Sequence, residues 1–218
     1  MMFNNYLIYL AFITAKITKF FEAQKPYIRC KKGCAMCCKN AEFPYTKIEF
    51  QYLMSGVSLL DKDIKKNILK NIQSVLKERS MFNAETFKYS CPFLIDNVCA
   101  VYNYRGIICR SFGLMNIGTD GRVKVPFCCY QGMNYSNVID EETHMISPEK
   151  FKASGFKEIP SAYNVNYYFL TDPDFEKTFG FEFGDIKPLI DWFLDNESLG
   201  FNPFEILEGK NENSRVLK

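Results

Sequence analysis

Nine cysteines lie between positions 30 and 129 of this 218-residue chain: Cys30, Cys34, Cys37, Cys38, Cys91, Cys99, Cys109, Cys128 and Cys129. Four of them fall within the stretch CKKGCAMCC, the last two adjacent. Thiols at such spacing can cross-link as disulfides, exchange electrons as a dithiol pair, or hold a metal as thiolates. A chain of this length buries a core without covalent staples. A redox pair at Cys34 and Cys37, beside lysines that lower a thiol pKa, leaves the other seven cysteines unexplained. Ligation is the reading that uses the whole set. Cys34-x2-Cys37 is the bite with which a tight turn brings two sulfurs to one ion, and Gly33 supplies the positive φ such a turn needs. Adjacent residues seldom aim their side chains alike, so Cys37 and Cys38 point to a second metal or a bridging role. A lone cysteine can equally be a small core hydrophobe. For one of Cys128 and Cys129 that reading is favoured, because two four-thiolate sites leave one cysteine over.

Thiolates alone suit both Zn2+ and iron–sulfur clusters. The single histidine, His144, excludes a histidine-rich site. Cys91-Pro92 resembles the Cys-Pro ending of ferredoxin runs, a lean toward iron. Cys30-x3-Cys34-x2-Cys37 has the spacing of radical S-adenosylmethionine enzymes. Met36, however, stands where their motif usually carries an aromatic residue, and the following chain reads as helix rather than as a train of βα units.

Charge fits a thiolate site. Five bases and no acid lie between Lys25 and Lys39, and four thiolates around one divalent ion leave about −2 for neighbouring cations to offset. Residues 1–170 carry 22 Lys and Arg against 14 Asp and Glu, whereas residues 171–212 carry 3 against 11. The basic body invites a nucleic-acid reading, but no nucleic-acid module is recognisable, so no nucleic-acid partner is expected. The acidic, aromatic C-terminal region is the expected surface for a protein partner.

Several elements must position these cysteines. Phe3, Leu7, Leu10, Ile13, Ile17, Phe20 and Phe21 recur at helical spacing and predict a first helix with a wide apolar stripe. Tyr6 to Ile13 is too short to span a bilayer and lacks the flanks of a signal peptide, so the expectation is a core helix, with a membrane-surface anchor as the alternative. No transmembrane segment is expected, and the protein is placed in the cytoplasm, where thiols stay reduced. Thr46 to Glu49 has the form of a capping box opening a second helix that stops near Gly56. Asp61 caps a longer helix buried through Ile64, Ile68, Leu69, Ile72, Val75 and Leu76. Ser111–Ile117 and Arg122–Phe127 flank Gly118-Thr-Asp-Gly121 as a hairpin that delivers Cys128 and Cys129. Asp172-Pro173, Asp185 and Pro188 punctuate short helical segments, and residues 209–218 read as frayed.

The ordered set Cys30, Cys34, Cys37-Cys38, Thr46 to Glu49, Cys91-Pro-Phe-Leu94, Asn97-Val-Cys99-Ala-Val-Tyr102, Arg105, Cys109-Arg110 and Cys128 resembles the CxxCxxCC, or YkgJ, cysteine-cluster family over about residues 27–130. That resemblance implies a zinc- or iron-chelating domain, often labelled an iron–sulfur oxidoreductase; a similar domain occurs in proteins that methylate lysines of flagellin. Carried over by position, the metal-binding role falls on Cys30, Cys34, Cys37, Cys38, Cys91, Cys99, Cys109 and Cys128. The chain departs from the pattern in three places: three residues separate Cys30 from Cys34 where the family has two, Gly106 stands where the family usually has Pro, and Cys129 is an extra thiol. Arg105 and Arg110 would donate hydrogen bonds to thiolates or bind an anionic substrate beside the metal. Alternatively they cap loop carbonyls.

The expected fold is α+β and mainly helical, an irregular cysteine-rich metal-binding core with a small β-hairpin and flanking helices. Its expected parts are an amphipathic helix (1–25), the cysteine domain (26–133) and a helical, aromatic extension packed on it (134–218). The expected cofactor is an iron–sulfur cluster or Zn2+. Three roles follow: a structural or simple metal-binding domain, an iron–sulfur enzyme (an oxidoreductase or one related to methyltransferases), and a metal carrier.

Overall fold

A computed structural model describes residues 3–40, 42–82 and 87–210. Residues 211–218, part of the stretch expected to fray, lie outside the described residues. The chain opens with α1 (Asn4–Ala23), passes α2 (Met36–Lys39), enters β1 (Pro44–Thr46) and continues into α3 (Lys47–Ser58) and α4 (Lys62–Ser80). β2 (Leu94–Ile95) and β3 (Val98–Cys99) form one hairpin. α5 (Ile107–Ser111) precedes a second, β4 (Asn116–Ile117) with β5 (Val123–Lys124). After a 3-10 turn at Phe127–Gln131 come α6 (Pro148–Ser154), α7 (Tyr167–Leu170), α8 (Pro173–Phe179), β6 (Ile186–Pro188), α9 (Asn196–Leu199) and α10 (Pro203–Leu207). The result is mainly helical α+β with sheets of two strands each. Among the described residues no helix is long and apolar enough to cross a membrane.

The sequence signals that act locally operate as expected. Thr46 Oγ1 accepts the backbone N–H of Glu49 at 3.4 Å while the Glu49 carboxylate accepts the backbone N–H of Thr46 at 2.9 Å, closing the capping box that starts α3. Asp61 stands at the N-cap of α4 but makes no side-chain cap bond there. Ile68, Ile72 and Val75 are the buried face of that helix, flanked by the half-buried Ile64, Leu69 and Leu76.

Four expectations are corrected by long-range packing. The buried face of α1 is Phe3, Tyr6, Tyr9, Leu10, Ile13 and Ile17, and Leu7 is 40% exposed. The stripe turns toward the two tyrosines because rings from the C-terminal region cover them: Tyr9 packs on Phe175, Phe179, Phe181 and Phe183 with centroids 5.2–5.6 Å apart. Pro188 ends a strand rather than punctuating a helix, since β6 pairs antiparallel with β1 in the register Tyr45↔Lys187. The second hairpin is shorter than its expected arms, because Ser111 closes α5 and Phe127 opens the 3-10 turn. Finally, α3 runs past Gly56 to Ser58. The glycine makes room for a ring: a Cβ there would lie 2.3 Å from Cγ of Tyr104. Gly56→Ala is therefore expected to lower stability by about 1–3 kcal/mol through overpacking, although alanine is the better helix former; a denaturant midpoint at unchanged m-value measures it.

Three apolar cores hold the fold. α3 and α4 share one with Trp192, Phe193, Ile206 and Leu207 from near the C-terminal end. A second joins α1 to Ile48, Ile107, Val165, Tyr167 and Phe183. A third gathers Tyr27, Met115, Cys129, Tyr135, Val138 and Ile139. The three segments distinguished in the sequence thus share their cores, and Cys91, Cys99 and Cys109 pack against the first of them.

Candidate metal centre

Chain geometry brings the first cysteines round a turn. Gly33 has φ +86°, and the N–H of Cys34 donates to the carbonyl of Lys31 at 2.9 Å to close the turn. Ala35 then starts α2, so Cys37 and Cys38 sit on one short helix with sulfurs 3.9 Å apart. The second cysteine segment is tied to the first through the backbone, the N–H of Cys91 donating to the carbonyl of Cys38 at 2.7 Å. Asp96 and Asn97, both at positive φ, make the two-residue turn of the β2–β3 hairpin, which places Cys99 opposite Leu94.

Cys109 is placed by α5, whose start is held by two buried side chains. Ile107 N–H donates to Glu49 Oε1 at 2.6 Å and Gly106 N–H donates to Tyr45 Oη at 3.1 Å. A Cβ on Gly106 would lie 2.6 Å from the Tyr45 ring, and proline would lack the donated N–H. The glycine at this position is therefore required by Tyr45, whose hydroxyl also lies 3.4 Å from the sulfur of Cys109. Tyr45 was invisible as a site residue in the sequence, as was Asn134. The buried Asn134 accepts the N–H of Arg29 at 2.8 Å and donates to the carbonyl of Gly113 at 2.8 Å and to the sulfur of Cys30 at 3.2 Å. No spacing signal singles out either residue.

The charges that act on each thiol sort the cysteines. Cys30, Cys34 and Cys128 are electrostatic neighbours, and so are Cys38, Cys91, Cys99 and Cys109 through their mutual contacts. Cys37 acts on members of both groups. Cys129 belongs to neither; its charged neighbours are Lys150 and Glu141, and its side chain packs in the third core. Of the adjacent pair, Cys128 is thus the one acted on by the charges of other cysteines.

Burial raises the pKa of Cys30, Cys91 and Cys99, and pushes Cys109 and Cys128 up to about 12, with neighbouring thiols adding to the effect. Cys37 goes the other way, down to about 7. The hydrogen bond from Cys38 lowers it most, burial opposes, and the backbone N–H groups of Cys37 and Cys38 and the charge of Arg105 lower it further. Cys38 is raised because it holds the proton shared with Cys37.

The arginines cap carbonyls. Arg105 Nη1 donates to Tyr102 O at 2.9 Å with its guanidinium 3.6 Å above the Tyr102 ring. Arg110 donates from Nε to Arg105 O at 3.1 Å and from Nη2 to Asn103 O at 2.8 Å. No hydrogen bond runs from either to a sulfur among the described residues, and Arg105 acts on Cys37 and Cys99 through its charge alone.

Eight thiols from separate segments of the chain therefore lie within reach of a neighbouring thiol's charge. As they stand, no group of three or more His, Cys, Asp or Glu side chains among the described residues is arranged to hold a metal ion. Comparison with protein-family models, with curated proteins and with solved structures finds no match for this chain.

Proposed function

We propose that the chain binds metal as a cysteine-cluster protein of the zinc- or iron-chelating type. Cys30, Cys34 and Cys128 serve on one side and Cys38, Cys91, Cys99 and Cys109 on the other, with Cys37 between them. The observation that carries this reading is the sorting of the thiols: eight lie within reach of one another's charge, while the ninth, Cys129, is turned into an apolar core. Packing alone does not favour collecting thiols whose charges oppose one another's ionisation, as at Cys30, Cys38, Cys91, Cys99, Cys109 and Cys128; a positive ion among them reverses that repulsion.

The donor chemistry fits the group. An all-thiolate set suits an iron–sulfur cluster or Zn2+, and the resemblance over residues 27–130 points to the same two. Ligation asks for χ1 rotations that bring the neighbouring sulfurs together, and it releases the protons that burial holds on them. A bound cluster would supply electron transfer or an open iron position, whereas zinc would cross-link the loops. The protein's own contribution is to hold the thiols: Glu49 and Tyr45 fix α5 under Cys109, and Asn134 fixes Cys30. A reducing compartment such as the cytoplasm keeps all of these thiols free for metal.

Anaerobic purification followed by elemental analysis and a visible spectrum tests the reading. Brown protein absorbing near 400 nm, roughly where sulfur-to-iron transitions lie, identifies a cluster; colourless protein with one or two zinc ions identifies zinc. A chain that carries neither and takes up neither on reconstitution overturns the proposal. A carrier or open-site role draws on one specific observation, the exposure of Cys30 beside its part-buried partners. Ready loss of metal to a competing chelator supports that role.

A further inference from the structure

A groove lies beside the cysteine region rather than in it. It has a volume of about 680 Å3 and runs along α1 toward Asn103 and Arg110. Its wall is the outward face of α1, with Leu7, Ala11 and Ala15, and its far end carries Lys19 and Glu22. Leu7 belonged to the expected core stripe of this helix; its exposure is what gives the groove an apolar side.

Arg110 stands at the other end. Its Nε and Nη2 are spent on the carbonyls of Arg105 and Asn103, which hold the guanidinium in place. Nη1 has no partner and no carboxylate pairs with this side chain among the described residues. A part-buried guanidinium is ordinarily matched by an anion. Here the guanidinium is met by two loop carbonyls and, among the described residues, by no carboxylate within salt-bridge distance. Beside it in the groove, Thr14 Oγ1 is shielded and also lacks a hydrogen-bond partner.

We propose that this groove binds a small carboxylate with an apolar chain, its head group on Nη1 of Arg110 and its chain along Leu7, Ala11 and Ala15. The fixed, planar guanidinium suits a carboxylate, and the apolar wall gives the rest of the molecule something to bury against. Arg110 disfavours a cationic head group on Nη1, and the apolar wall favours a carboxylate long enough to reach it. Because Arg110 follows Cys109 directly, such a ligand would lie next to the region proposed to hold metal. The inference does not rest on that reading, because the groove and the guanidinium are complete without an ion.

Calorimetric titration of the full chain with octanoate, octyl phosphate, acetate and octylammonium tests it. Octanoate is expected to bind saturably, with acetate and octylammonium at least tenfold weaker, on the order of what one charge-assisted hydrogen bond is worth. Arg110→Gln should weaken octanoate by roughly tenfold and Arg110→Lys should restore part of the loss. Arg110 also caps two carbonyls, so a second variant guards against misfolding. Ala11→Phe on the exposed face of α1 fills the groove without touching the core, and it should abolish octanoate binding. Equal binding of octylammonium, or undiminished octanoate binding by folded Ala11→Phe, overturns the proposal. Binding of octyl phosphate with none of octanoate overturns the carboxylate assignment.

Discussion

Under the proposed metal-binding role, replacing Cys37 with serine is expected to remove most of the metal, while Cys129→Ala leaves the metal content unchanged. Cys37 is the thiol whose charge is felt in both groups, by Cys30 and Cys128 on one side and by Cys38, Cys91, Cys99 and Cys109 on the other. It is also the one held nearest to the thiolate form, with a pKa lowered to about 7 by Cys38, two backbone N–H groups and Arg105 despite its burial. A serine hydroxyl does not ionise there and cannot replace a soft ligand. Cys129 contributes only packing among Tyr27, Met115 and Tyr135, so its truncation should cost about 1 kcal/mol of stability and no metal. Metal-to-protein ratios of the two variants, purified side by side, separate these outcomes. Full metal in Cys37→Ser together with loss in Cys129→Ala would reverse the assignment.

Glu49→Ala should cost about 3–5 kcal/mol, the largest stability loss expected of a single side chain here. The carboxylate is fully buried and accepts from Thr46 N–H at 2.9 Å, Thr46 Oγ1 at 2.8 Å, Ile107 N–H at 2.6 Å and Tyr167 Oη at 2.6 Å. Burial raises its pKa while these donors, Tyr167 first, pull it down. Alanine would leave the Thr46 and Ile107 N–H groups and the Tyr167 hydroxyl buried without an acceptor. Each such orphan costs about 1–3 kcal/mol. Because Glu49 joins β1, α3, α5 and α7, the loss should also loosen Cys109 and lower metal retention. Tyr167→Phe, which removes one donor together with its demand, should cost far less. Urea unfolding of both variants against the parent chain gives the comparison, and equal small losses would show that Glu49 is only a helix cap.

In the sequence, Glu49 was legible as the end of a capping box and nothing more. Its second set of partners comes from Ile107 and Tyr167, 58 and 118 residues away in the chain. The same limit explains the first helix. Periodicity found it and found one apolar stripe, but Tyr6 and Tyr9 displace Leu7 from the core because Phe175, Phe179, Phe181 and Phe183 return to cover them. The arginines show the limit again: the sequence left open bonds to sulfur, an anionic substrate or the capping of loop carbonyls, and their hydrogen bonds go to the carbonyls of Tyr102, Asn103 and Arg105.

What the sequence determined by itself were features whose cause lies within a few residues. They include the capping box at Thr46 and Glu49, the turn at Gly33, the buried face of α4 and the confinement of all nine cysteines to residues 30–129. Hydrogen bonds of a helix end, the φ freedom of glycine and the period of a helix are short-range physics, so they can be read along the chain. Tertiary structure alone decided that β6 pairs with β1, that Tyr45 and Glu49 hold α5, and that Cys128 lies within reach of other thiols' charge while its neighbour Cys129 packs in a core. Consecutive side chains on a turn point to different sides, and which side meets thiols and which meets Tyr135 depends on contacts made across the fold. The spacing of the cysteines suggests the chemistry, and contacts made across the fold give each of them its surroundings.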